Sequence, residues 1–315
     1  MNKIFYIAKE EIKILFREKI FFTLLGVFVV MSLISSFLGF MATNTTTSIY
    51  NSSVKFLIQK GINNIPPNPM LSFGALTDFR NIIIYMFLIG ALLAVVIGHR
   101  SFIRERKSGV LPILFSRPIS SNTLFFGKAL GIGITIFSII LSAFLIGILS
   151  SLLLPYRHLL FDDILRLIIF YIFSFFYLLF FGFVGLLFAI KTKSESLALF
   201  IPICIWVGIS FVLPEIISGQ NPTALLNPIA MGQVQVQNSV FFSLMQTYLQ
   251  PFSIGGQYTS FALQLINNTS QTSLINVILN NLSNITTLFI SIIGTSTLCI
   301  YSINKNNIGK DEIYE

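Results

Sequence analysis

The chain has 315 residues, 54% of them hydrophobic and only 10% charged, with a net charge of +8 and 33 phenylalanines. A soluble surface needs about a quarter of its residues charged, so these residues cannot clothe soluble domains of that size. The bases fall in short clusters between apolar runs, not in a stripe interleaved with exposed aromatics, which excludes nucleic acid and leaves the lipid bilayer as the first partner.

In chain order, residues 1–19 come first. Ile4, Phe5, Ala8, Ile12, Leu15 and Phe16 recur at helical spacing, with Lys9, Glu10, Lys13 and Arg17 on the other side. This pattern predicts an interfacial helix, its apolar face in the inner-leaflet boundary and its lysines among headgroups, against the plainer reading of a solvated helix docked on a partner. Residues 20–42 carry no charge and are too long for a signal-peptide core; Phe40-Met41-Ala42 also lacks a small residue at the minus-three position, so a membrane span is expected. Residues 43–80, with Pro66-Pro67-Asn68-Pro69, read as an external loop. Further charge-free spans are expected at 81–98, 129–154, 167–190, 197–213 and 285–303. About 20 apolar residues cross the hydrocarbon, and lipid offers an unpaired backbone group no partner, so each run must be helical.

Between the last two spans lies a second external loop, 218–284. From Gly219 to Asn284 it has no Asp, Glu, Lys or Arg, yet it is rich in Asn, Gln, Ser and Thr. Short amphipathic pieces lying on the outer leaflet or capping the bundle are expected there. Fifteen of the 20 Lys and Arg residues fall in the two tails and the 99–128 and 191–196 connections. The positive-inside bias then places both termini in the cytoplasm. The fold expected is an all-α polytopic membrane protein, a single domain over 1–315 with six transmembrane helices.

Little conventional chemistry is encoded. Cys204 and Cys299 both lie inside apolar runs, and Gly127-Lys128-Ala129 lacks the upstream glycine and the hydroxyl of a phosphate-binding loop. No catalytic residue, no resident metal and no cofactor are expected in this chain. His158, Asp162 and Asp163 form the best residual metal or acid-base cluster, against the plainer reading of a charged interfacial turn. Glu215, after Pro214, and Trp206 in the fifth span are candidates for a substrate route, against the plainer readings of a helix-end carboxylate and an aromatic packing site.

The most informative stretch connects the second and third spans. Phe102 to Lys107 reads as a charged continuation of the second helix, Gly109 as a change of direction, and Val110 to Phe115 as a short apolar helix. Arg117-Pro118 ends that helix, and Ser120 or Ser121 can cap the next. The result is a cytoplasmic elbow whose candidate coupling residues are Arg104, Glu105, Arg106, Gly109, Ile113, Leu114, Phe115, Ser116, Arg117 and Pro118.

On these residues the chain resembles the permease subunits of ABC-2 type ABC transporters, whose second and third spans are joined by a Glu-Arg-Glu-x-Gly-Thr-Leu and Leu-Leu-Ser-x-Pro-Ile/Val-Ser pattern. Glu105, Arg106, Gly109, Leu111, Ile113, Leu114, Ser116, Pro118, Ile119 and Ser120 fall on it without a gap, followed by Gly127-Lys128. Lys107, Val110 and Pro112 depart from it. The long loops resemble the branch of nitrous-oxide-reductase maturation and gliding-motility permeases. The resemblance implies a second permease copy or a paralogue, a dimer of cytoplasmic ABC ATPase subunits holding ATP and magnesium, an external accessory protein and a prokaryotic plasma membrane. ATP hydrolysis there would drive export or mechanical signalling. A structural subunit anchoring a larger membrane complex is the alternative, and a membrane enzyme built on the His158 cluster is a third reading. Uncharged spans favour an apolar or amphipathic cargo over a small ion.

Overall fold

A backbone in hydrocarbon must satisfy its own hydrogen bonds. The computed structural model accordingly contains helices and no strands among the residues it describes, which are 2–17, 19–62, 65, 76, 79–109, 119–152, 160–218, 244, 247–266 and 273–303. The helices are α1 (Asn2–Arg17), α2 (Ile20–Gln59), α3 (Arg80–Lys107), α4 (Ser121–Leu152) and α5 (Phe161–Lys191). Then come α6 (Glu195–Val212, running on through Leu213–Ser218), α7 (Ile254–Ile266), α8 (Leu274–Asn280) and α9 (Leu282–Ser302). Six of them, α2 to α6 and α9, are long and apolar enough to cross a membrane. The protein is an all-α polytopic membrane protein.

The centre is α5, which packs against α3, α4, α6, α7 and α9. Its contact with α3 is backbone to backbone. A Cβ on Gly98 would overlap the Gly182 carbonyl, and one on Gly185 would overlap the Val95 carbonyl. Without side chains at these points the two helices close up, the usual means of helix association where burial in lipid supplies no driving force.

Two elements differ from the expectation for loops. The helix that begins at Ile20 continues through the polar stretch to Gln59 instead of ending at 42. Hydroxyls there bond back to the preceding turn, Thr46 to Ala42, Ser52 to Ser48 and Ser53 to Ile49, and the helix ends only near Gly61, at φ +74°. Within 218–284, α7 is largely buried in the bundle. Its polar groups find partners inside: the Thr287 hydroxyl donates to Gln257, whose amide donates to the Gln250 carbonyl, and Asn281 donates to Gln264. Uncharged polar residues can be satisfied in this way where ionised ones could not.

The α3–α5 contact predicts a sharp asymmetry between glycines. Gly98→Val must push the helices apart and should cost about 1–3 kcal/mol or more, as overpacking does. Gly294→Ala, with nothing within 4 Å of its Cβ position, should be neutral. Thermal unfolding of the two variants in detergent checks this.

Candidate functional site

The charged run at the end of α3 is tied to four different helices by four consecutive side chains. Arg104 reaches Glu11 of α1 at 3.2 Å, and Glu105 accepts from Lys128 of α4 at 2.7 Å. Arg106 donates to the Thr192 carbonyl and, at 3.1 Å, to the Ile190 carbonyl, capping the end of α5. Lys107 pairs with Glu195 at the start of α6 at 2.7 Å. Residues at successive positions of a helix point about 100° apart, so a run of four charges faces every side of α3 in turn.

The pairs differ in strength. Lys107 and Glu195 are exposed and contribute little. Lys128 is the opposite case: its side chain is fully buried, and all three ammonium hydrogens are used, on Glu11 Oε1 at 2.6 Å, Glu105 Oε1 at 2.7 Å and the Ser101 carbonyl at 2.7 Å. Glu11 in turn accepts from both Lys128 and Arg104 and is itself buried. Two carboxylates and two cations thus form a neutral network. Phe102, fully buried, lies beneath it, with the Lys128 ammonium 5.9 Å from its ring centroid.

Small residues let the network form. A Cβ on Gly127 would lie 2.7 Å from Ile7, and one on Gly131 would lie 2.7 Å from the Glu11 Cβ, so the two glycines, one turn apart, receive successive turns of α1. The face of α1 that packs on α4 therefore runs through Ala8, Glu11 and Leu15, whereas Phe5 and Phe16 of the expected apolar stripe are exposed. Ser120 caps α4, accepting from the Thr123 amide at 3.2 Å. After α3 the chain turns at Gly109, φ +65°, a conformation that only glycine adopts cheaply.

Of the residues singled out from sequence, Arg104, Glu105, Arg106 and Gly109 come together here. Ile113, Leu114, Phe115, Ser116, Arg117 and Pro118 lie outside the described residues, as does His158. Asp162 pairs with Arg166 at 2.7 Å, and Asp163 accepts from the Leu160 amide at 3.0 Å, so each has a structural role at the start of α5. Trp206 is buried in α6 against Phe211, away from the hub, and Glu215 lies in the helical turn 213–218, its side chain outside the described set. Sequence reasoning missed Glu11 and assigned no role to Lys128. The available signal was position: Glu11 sits at Ala8+3 and Leu15−4, and Lys128 at Leu124+4 and Ile132−4, each a charge inside an apolar stripe.

Removing one member of a buried ion pair strands its partner, at a cost of about 3–5 kcal/mol, whereas replacing the whole set is far milder. Lys128→Met should therefore lower the unfolding temperature in detergent markedly. Adding Glu11→Gln, Glu105→Gln and Arg104→Gln, which removes the whole set, should recover most of that loss.

Residues 5–307 match the family model described as ABC-2 family transporter protein. No curated protein matches the chain. With a match across nearly its whole length and six apolar helices to agree with it, the chain belongs to the ABC-2 family of transporter proteins.

Proposed function

We propose that the chain is the membrane-spanning permease subunit of an ABC transporter, and that the hub at the end of α3 passes force from a separate cytoplasmic ATPase into the bundle. The observation that carries this reading is the connection of four consecutive residues, Arg104 to Lys107, to α1, α4, α5 and α6. A push delivered beyond Gly109 would reach four helices at once through α3, and the buried Lys128 network would resist shear between α1, α3 and α4. ATP and magnesium belong to the ATPase dimer. A second permease copy or a paralogue completes the membrane unit, an external accessory protein is a further partner, and the setting is a prokaryotic plasma membrane with both termini cytoplasmic. The branch reading rests on the lengths of 43–80 and 218–284. The product of the cycle is export of an apolar or amphipathic cargo, or mechanical signalling.

Three measurements test this. Single cysteines at exposed Ser194 and exposed Leu160, in a chain freed of Cys204 and Cys299, should label from opposite sides of the membrane, Ser194 from the cytoplasm. Glu105→Ala leaves Lys128 with Glu11 and the Ser101 carbonyl, so the variant should insert, fold and still bind the ATPase while losing ATP-driven movement of the bundle. Leu114→Asp should abolish ATPase binding in a pull-down. Full coupled activity in Glu105→Ala, or normal ATPase binding by Leu114→Asp, would remove the coupling role.

A further inference from the structure

Two spans are interrupted by π turns, Met86–Gly90 in α3 and Gly208–Val212 in α6. A π turn holds one residue more than the α turn it replaces. Backbone register can therefore slip by one position there without breaking the helix, and such turns recur at working parts of proteins. These two lie against each other, the rings of Phe87 and Phe211 5.7 Å apart.

Behind the contact stands a clamp from α5 and α7. The Tyr177 hydroxyl donates to the Phe87 carbonyl at 3.3 Å, inside the π turn of α3. The Tyr177 ring stacks at 4.1 Å on Tyr258, whose hydroxyl shares a 2.8 Å hydrogen bond with Ser174. Gly255 presses on both turns: a Cβ there would lie 2.8 Å from the Phe87 ring and 2.9 Å from the Ser210 Cα. Trp206, edge-on to Phe211 at 5.3 Å, is buried, and its indole Nε1 has no acceptor among the described residues.

This cluster is not a ligand pocket. Tyr177 and Tyr258 are fully buried, and the glycine contacts leave no space between the turns. Its distinguishing features are two adjustable turns joined through the Phe87 and Phe211 rings, one hydroxyl holding the first, and the buried Trp206 Nε1, without an acceptor among the described residues, beside the second. A buried donor without an acceptor is costly, which favours a nearby arrangement that pairs it. A one-residue slip in α6 would turn the following helix by about 100° and re-aim the groups around Trp206. The same two helices meet at the hub, where Lys107 pairs with Glu195 and His99 Nε2 lies 3.4 Å from the Glu195 carbonyl. Held together at that end, α3 and α6 can change register against each other only farther along both.

We infer that the two π turns and the Tyr177 clamp form a sliding joint, at which α3 and α6 change register between two states of the transporter, with Trp206 reporting the state. The inference rests on the proposed coupling role of the hub, and its test keeps the two apart. Phe87→Cys and Phe211→Cys, in a chain with Cys204 and Cys299 replaced by alanine, should be bridged in lipid nanodiscs by a short bis-methanethiosulfonate reagent, which spans the gap left by the two rings and is released by reductant. In the complex with its ATPase, a non-hydrolysable ATP analogue should shift the emission of Trp206, the single tryptophan of the chain. Cross-linking should abolish that shift and a reductant should restore it.

A cross-linked protein that still gives the full shift, or a reduced complex that gives none with the ATPase bound, overturns the joint. Loss of ATPase binding in a prior pull-down instead indicts the coupling reading. The chain alone supplies an arm independent of the ATPase. Tyr177→Phe keeps the ring stack and removes the hydroxyl that holds the Phe87 carbonyl and faces Ser210, so hydrogen exchange at residues 86–91 should quicken roughly tenfold with α4 unchanged. Unchanged exchange at 86–91 overturns the clamp whatever the ATPase does.

Discussion

A lysine ammonium with no water around it can stay charged only if carboxylates and carbonyls replace its hydration shell. Lys128 is in that position, and the three groups that replace water come from two helices: Glu11 of α1, and Glu105 and the Ser101 carbonyl of α3. That requirement dictates where α1 lies. It also dictates that α4 present glycines at 127 and 131, because any side chain there would hold α1 off and leave Lys128 short of a carboxylate. An amphipathic helix that could otherwise float in the membrane interface becomes part of the bundle.

The rest of the bundle follows a different rule. In lipid, apolar side chains gain little by meeting one another, so the helices come together where backbones can approach and where polar groups need partners. The Gly98–Gly182–Gly185 contact of α3 with α5 is the first kind, and the Gln257, Thr287, Gln264 and Asn281 bonds that hold α7 and α9 are the second. The ion network is an extreme of that second kind, placed at the end where α3 carries its charged run. Rigid close packing between α3 and α5 at mid-span, with a charged hub at one end and π turns toward the other, makes α3 the member through which the two ends communicate.

Much of this was legible in the chain itself. Six charge-free runs announced the spans, and Gly109 and Ser120 announced the turn and the cap around the elbow. The partners of Arg104 to Lys107 were not legible, because Glu11 lies 93 residues from Arg104 in sequence and the Arg106 partners are backbone carbonyls that carry no residue signature. Glu11 and Lys128 stood out only as charges within apolar stripes, a pattern that becomes informative when the two stripes are known to face each other. The helical course of residues 43–59 was hidden for a related reason: Ser, Thr and Asn read as loop formers, yet the Thr46, Ser52 and Ser53 hydroxyls are satisfied on carbonyls of the preceding turn and do not stop a helix already under way. The π turns leave no trace in composition at all.

The central claim is that the hub makes α1 and the α5–α6 turn move as one body through α3. The most direct measurement is the distance distribution between spin labels at exposed Lys13 of α1 and exposed Lys193 of the turn, in the complex with its ATPase, with and without a non-hydrolysable ATP analogue. The account predicts a single narrow distribution that nucleotide leaves in place, and a broadened, nucleotide-dependent one in the variant carrying Glu11→Gln, Glu105→Gln and Lys128→Met. The same narrow distribution in that variant would contradict it.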